Sequence, residues 1–97
     1  MSNLDVLNLV GKIDISEVNK NTIYSIAMEE CCELAQAISK INRDKPNYDN
    51  TCEEIADVLI CMAWIIEKNN LDKKEILKWL DYKVDRCNTR ISMGDFK

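Results

Sequence analysis

The chain has 97 residues, 46% of them apolar and 31% charged, with a net charge of -4. That is enough for one domain, residues 1–97, whose core is small enough that association between copies would help to stabilise it. The acidic balance argues against a broad basic face for nucleic acid, and the complete absence of histidine removes Ser-His and Cys-His nucleophiles, histidine-ligated zinc and the Glu-x-x-His sites of di-iron bundles, so that any metal must be held by oxygen.

Glycine and proline are scarce, with two and one respectively, and the alternation of β-branched and aromatic residues that marks strands is missing, so the expected class is all-α. The five cysteines form an odd set with no CxxC, which suggests neither a disulfide framework nor a zinc knuckle and reads as reduced, structural thiols. The opening "MSNLDVLNLVGKID" lacks a basic stretch followed by a long apolar one, and no apolar run is long enough to span a bilayer. The expected location is cytoplasmic, with neither membrane nor nucleic acid as partner.

In chain order, Leu4 to Val10 is a short amphipathic helix ending near Gly11. A stronger helix runs from Ser16 or Thr22 to Asn42, with Ile23, Ile26, Ala27, Leu34, Ile38 and Ile41 at helical spacing. The polar run "NRDKPNYDN" breaks it, because Pro46 cannot continue a helix and Asn and Asp favour turns. A third helix, from Asn50 or Thr51 to Lys68, is apolar nearly all round through "IADVLICMAWII" and is expected to be the central, most buried element. A fourth follows Leu71, with Asp72 as its N-cap, and contains "KKEILKWLDYKVDRCNTRI".

The second helix carries "IAMEECCELAQAISKI", which sets glutamates into an apolar stripe. At about 100° per residue, Glu30 falls within about 60° of Ile23, Ala27, Leu34 and Ile41. Glu33 and Glu29 flank the stripe. On the third helix Glu54 shares a face with Val58, Cys61 and Ile65, and Asp57 stands one turn along. A lone Glu-x-x-Glu is most often a solvated edge. Two acidic pairs embedded in apolar faces of consecutive helices are different, because close carboxylates withdrawn from water need cations, and Mg²⁺, with Mn²⁺ as the alternative, prefers such oxygen ligands.

These same residues carry a resemblance. "EECCE" at Glu29 to Glu33, followed after a short polar loop by "EEIADVL" at Glu53 to Leu59, resembles the EExxE and ExxD signature of the MazG-like all-α nucleotide pyrophosphohydrolases, whose relatives include dimeric dUTPases, dCTPases and phosphoribosyl-ATP pyrophosphohydrolases. The likeness extends from Thr22 to Ile91. It implies a four-helix, oligomeric MazG-like bundle, a homodimer or tetramer, that hydrolyses a nucleoside triphosphate between the α- and β-phosphates to a monophosphate and pyrophosphate with magnesium. Glu30, Glu33, Glu54 and Asp57 match the family's metal ligands. Glu29 matches the glutamate proposed in some members to activate the attacking water, while Glu53, turned about 100° from Glu54, reads as a surface residue.

On the fourth helix Lys83, Arg86 and Arg90 share a face in "YKVDRCNTR", where many members carry a basic cluster that contacts the triphosphate; arginine suits bidentate phosphate contacts. The match is looser than for the acids, Asn88 stands in an uncertain register, and a solvated basic face is the competing reading. Lys40, Arg43 and Lys45 sit where cations favour a helix C-terminus and need no functional reading. Tyr24, Tyr48, Trp64, Trp79 and Tyr82 are each able to stack on a base, although aromatics at helical spacing are more often core or interface, so the sequence selects no substrate. The alternative to an enzyme is a non-catalytic helical module of the same fold, used for assembly or nucleotide sensing.

Overall fold

A computed structural model describes residues 5–97, with side chains from Leu7 onward. Four helices and no strands are present among them: α1 (Asp5–Leu9), α2 (Lys20–Asn42), α3 (Tyr48–Lys68) and α4 (Lys73–Ser92). Leu4, expected at the start of the first helix, lies outside the described residues. Gly11, at φ 85°, takes the left-handed backbone that ends α1.

Asparagines set two helix starts. Asn19 Oδ1 accepts from the Asn21 amide at 2.7 Å and Asn47 Oδ1 accepts from the Asn50 amide at 3.1 Å, so α2 begins between the two positions read from sequence and α3 begins slightly earlier than read. Each cap supplies an acceptor to an otherwise unpaired first-turn amide. Asp72 caps α4 as expected, accepting from the Lys74 amide at 2.9 Å. The α2–α3 and α3–α4 turns each use one left-handed polar residue, Asp44 at φ 58° and Asn70 at φ 52°, residue types whose short side chains tolerate that conformation.

The helices α2 and α3 pack antiparallel along their lengths and α1 lies against α3. Alanines permit the close approach: Ala27 and Ala37 on α2 and Ala63 on α3 are buried, together with Ile23, Cys61 and Ile66. Tyr24 at the start of α2 donates its hydroxyl to Asn69 Oδ1 just beyond α3, at 2.7 Å. The segment before α2 is tied to the same end of α3: the Gly11 amide donates to Glu67 Oε2 at 3.2 Å, and Lys68 Nζ donates to the Ile15 and Ser16 carbonyls at 3.2 and 3.4 Å.

As expected, α3 is the element shared by the other packing pairs, but it is not covered all round, since Ile55 and Leu59 are exposed. The fourth helix scarcely touches the rest. Its apolar stripe, Leu77, Leu80, Val84 and Ile91, is exposed, as is Trp79 at 57%. No helix among the described residues is long and apolar enough to cross a membrane.

Candidate metal and nucleotide site

The antiparallel pairing of α2 and α3 fixes which acids meet. Across this pair Glu30 comes beside Asp57 and Glu33 beside Glu54. Oxygens of Glu30, Glu33 and Glu54 lie within 4.8 Å of one another. Asp57 joins Glu30 in lining the adjoining cleft, and its charge acts on both Glu30 and Glu54.

Glu54 is only 7% exposed. One oxygen of Glu54 and one of Glu30, Oε2 in each case, are shut off from solvent with no hydrogen-bond partner. Burial holds both carboxyls above the ordinary glutamate value, and the neighbouring charges of Glu33 and Asp57 raise them further. No cationic side chain compensates: among the described residues the one ion pair within 4 Å is Arg90 with Asp95, on and just beyond α4. Crowded, partly desolvated carboxylates with orphaned oxygens are the donor set of a hard divalent cation. Cys61 lies beside this set, where burial first and the Glu30 charge second push its thiol up and disfavour the thiolate.

The family model for the MazG nucleotide pyrophosphohydrolase domain matches residues 18–86. The chain belongs to this family. No curated protein and no solved structure matches it significantly. The MazG assignment carries nucleotide pyrophosphohydrolase activity in general and a typical dependence on metal, and the matched residues include all four acids of the two-helix pattern.

The other residues singled out from sequence fall elsewhere. Glu29 and Glu53 are exposed, each adjacent in sequence to a clustered acid. Lys83, Arg86 and Arg90 do come together, with Cys87 and Phe96, around a surface hollow, but α4 does not dock against the acid-bearing hairpin. Arg90 Nε contacts Asp95 Oδ2 at 3.2 Å and its guanidinium lies 4.6 Å from the Phe96 ring centre; among the described residues Lys83 and Arg86 make no ion pair. Tyr24 is committed to Asn69, and Trp79 meets Tyr82 edge to face on exposed α4. The sequence reading missed the cleft beside the acids, lined by Ile13, Ile26, Ile60, Cys61 and Trp64 as well as Glu30 and Asp57. The spacing of Asp57, Ile60, Cys61 and Trp64, at i, i+3, i+4 and i+7, already places them on one helix face.

Proposed function

We propose that the chain is a magnesium-dependent nucleoside triphosphate pyrophosphohydrolase that cleaves between the α- and β-phosphates, releasing a nucleoside monophosphate and pyrophosphate. The observation that carries this reading is the convergence of Glu30, Glu33 and Glu54, two of them with orphaned oxygens, in a MazG-family chain. In this reading Glu30, Glu33, Glu54 and Asp57 hold Mg²⁺, for which Mn²⁺ would substitute. When bound, the ion neutralises phosphate charge and makes the α-phosphorus more electrophilic.

Glu29 is given the role of base. Exposed and next to the ligands, it takes a proton from the attacking water as the water oxygen bonds to the α-phosphorus and the bond to the bridging oxygen breaks, with pyrophosphate leaving. Lys83, Arg86 and Arg90 are given the triphosphate, their charges offsetting those of the leaving group. Because α4 stands off its own hairpin with an apolar stripe exposed, this role is coupled to assembly as a homodimer or a dimer of dimers, in which that stripe is covered.

The test is to incubate the purified chain with single ribo- and deoxyribonucleoside triphosphates and Mg²⁺ or Mn²⁺, and to quantify monophosphate, diphosphate, pyrophosphate and orthophosphate separately. Monophosphate and pyrophosphate in equal amounts, abolished by chelator, is the expected result. Diphosphate with orthophosphate, or no turnover of any triphosphate, would overturn it.

A further inference from the structure

Helix α4 gains little support from the hairpin, so the order of its cations must come from the helix itself and from the turn that follows it. Gly94, at φ 85°, gives that turn its left-handed residue. Its amide donates to the Ile91 carbonyl at 3.0 Å, and the Asp95 amide donates to the Arg90 carbonyl, also at 3.0 Å. This pattern ends a helix by reversing the chain and laying the next residues back along the last turn. Asp95 and Phe96 are thereby returned to Arg90.

Both take hold of the same guanidinium. Arg90 Nε donates to Asp95 Oδ2 at 3.2 Å, and its Cζ lies over the Phe96 ring, 4.6 Å from the centre. The planar fork of arginine carries further donors on its Nη atoms, and among the described residues no ion pair uses them. The adjoining hollow of about 280 Å³ is lined by Lys83, Arg86, Cys87, Arg90 and Phe96, and Asp95 is not part of its lining. The carboxylate therefore braces Arg90 without filling the hollow. The Arg90–Asp95 pair is nearly half exposed, so it adds little to folding; what it fixes is where one cation stands.

We propose that Asp95 and Phe96 are positioning residues for the substrate phosphates: they hold Arg90 by its Nε–H and one face, so that its Nη groups, with Lys83 and Arg86, grip a phosphate entering the hollow. The proposal rests on the reading that these three cations take the triphosphate. Paired N–H groups suit two phosphate oxygens, and a fork already held in place loses less freedom when it binds.

The sign of one effect separates positioning from its rivals. Asp95→Ala removes a negative charge beside a site for anions. If Asp95 only lowered the local potential or obstructed Arg90, the variant would bind phosphate more tightly; if it positions Arg90, the variant binds less tightly. The expected result is a KM for the triphosphate raised about three- to tenfold, with kcat little changed and a melting temperature near wild type. Phe96→Ala should act in the same direction, and Phe96→Tyr should restore wild-type behaviour. In the Arg90→Lys background, which keeps the charge and loses the fork, Asp95→Ala should change KM no further. An unchanged or lowered KM in Asp95→Ala, or an equal rise in the Arg90→Lys background, overturns the proposal.

Binding is read separately from hydrolysis. The arginines of the sequence are Arg43, Arg86 and Arg90, and their side-chain Nε–H resonances are assigned by replacing each in turn with lysine. Inorganic pyrophosphate, titrated into the wild-type chain without divalent metal, should shift the Arg90 resonance saturably, and Asp95→Ala should need about three- to tenfold more of it. No shift at millimolar pyrophosphate, or equal affinity in the two chains, overturns the proposal. Pyrophosphate binding that Asp95→Ala weakens, without turnover of any triphosphate, sinks the pyrophosphohydrolase reading alone. Turnover with wild-type KM in Asp95→Ala sinks this one alone.

Discussion

Tyr24 and Asn69 meet at 2.7 Å, hydroxyl to side-chain oxygen, across the open end of the α2–α3 hairpin. Asn69 is held in turn by its own Nδ2 donating to the Ile65 carbonyl at 3.0 Å, so the tyrosine is fastened to a fixed point at the end of α3. Tyr24→Phe removes the bond and keeps the ring. It should lower unfolding free energy by about 0.5–1.5 kcal/mol, read as a shift in the urea midpoint at constant slope. A variant indistinguishable from wild type would show that the pair does not help to set the hairpin register.

The four acids are expected to act as a set. Glu30→Gln and Asp57→Asn should each abolish turnover and also the rise in melting temperature that Mg²⁺ gives the wild type, since loss of one ligand leaves the others as crowded, incompletely neutralised charges. Full activity in either variant, or in wild type with excess chelator, would refute the assignment.

Stability of the metal-free chain should depend on pH in a stated direction. Glu30 and Glu54 are raised above the ordinary glutamate value, by burial first and by Glu33 and Asp57 next. The folded chain therefore retains these protons where the unfolded chain has released them. Their contribution is fully present below the ordinary value and is lost as pH rises through the raised ones. Denaturation in chelator should give a higher midpoint at mildly acidic than at neutral pH, and Glu54→Gln should raise the neutral-pH midpoint while abolishing stabilisation by metal. A flat profile would contradict the burial of these carboxyls.

Base and phosphate roles separate in kinetics. Glu29→Gln should lower kcat by about 10²-fold or more with metal affinity near wild type, as removal of a general base requires. Arg86→Ala should raise KM for the triphosphate and weaken inhibition by pyrophosphate, leaving Mg²⁺ affinity of the free protein unchanged. Metal titration and steady-state rates on the two variants decide both roles: loss of metal binding in the first, or wild-type behaviour in the second, removes the respective assignment.

Assembly is testable through α4. With Leu77, Leu80, Val84 and Ile91 in one uncovered stripe, the chain should sediment as a dimer or tetramer at micromolar concentration, and Leu80→Asp with Val84→Asp should shift it toward monomer. A wild-type monomer under these conditions would exclude the assembly.

The parts of this architecture that were legible in the sequence are those governed by local periodicity. Glu30 and Glu54 stood inside apolar stripes, and the structure buries one and half-buries the other; Asp72 was a readable cap because it directly precedes a helical pattern. The start of α2 was less legible because Ser16, Asn19 and Thr22 are all competent caps, and only packing selects Asn19. The separation of α4 was not legible, since an amphipathic stripe says that a face is to be covered and not by what. Trp64 had the spacing of a cleft residue, but only the third dimension shows that its Nε1 lacks a partner.

The four acids come from one continuous hairpin, while the basic cluster sits on a helix joined to it by a short turn and barely packed against it. The two clusters therefore differ in how they respond to substitution. A change on the inner faces of α2 or α3 alters every carboxylate at once through their shared register, whereas α4 can exchange residues, shift its stripe or adopt a new neighbour without disturbing the acids. The acid cluster is thus built without α4, which follows the hairpin only through the turn at Asn70.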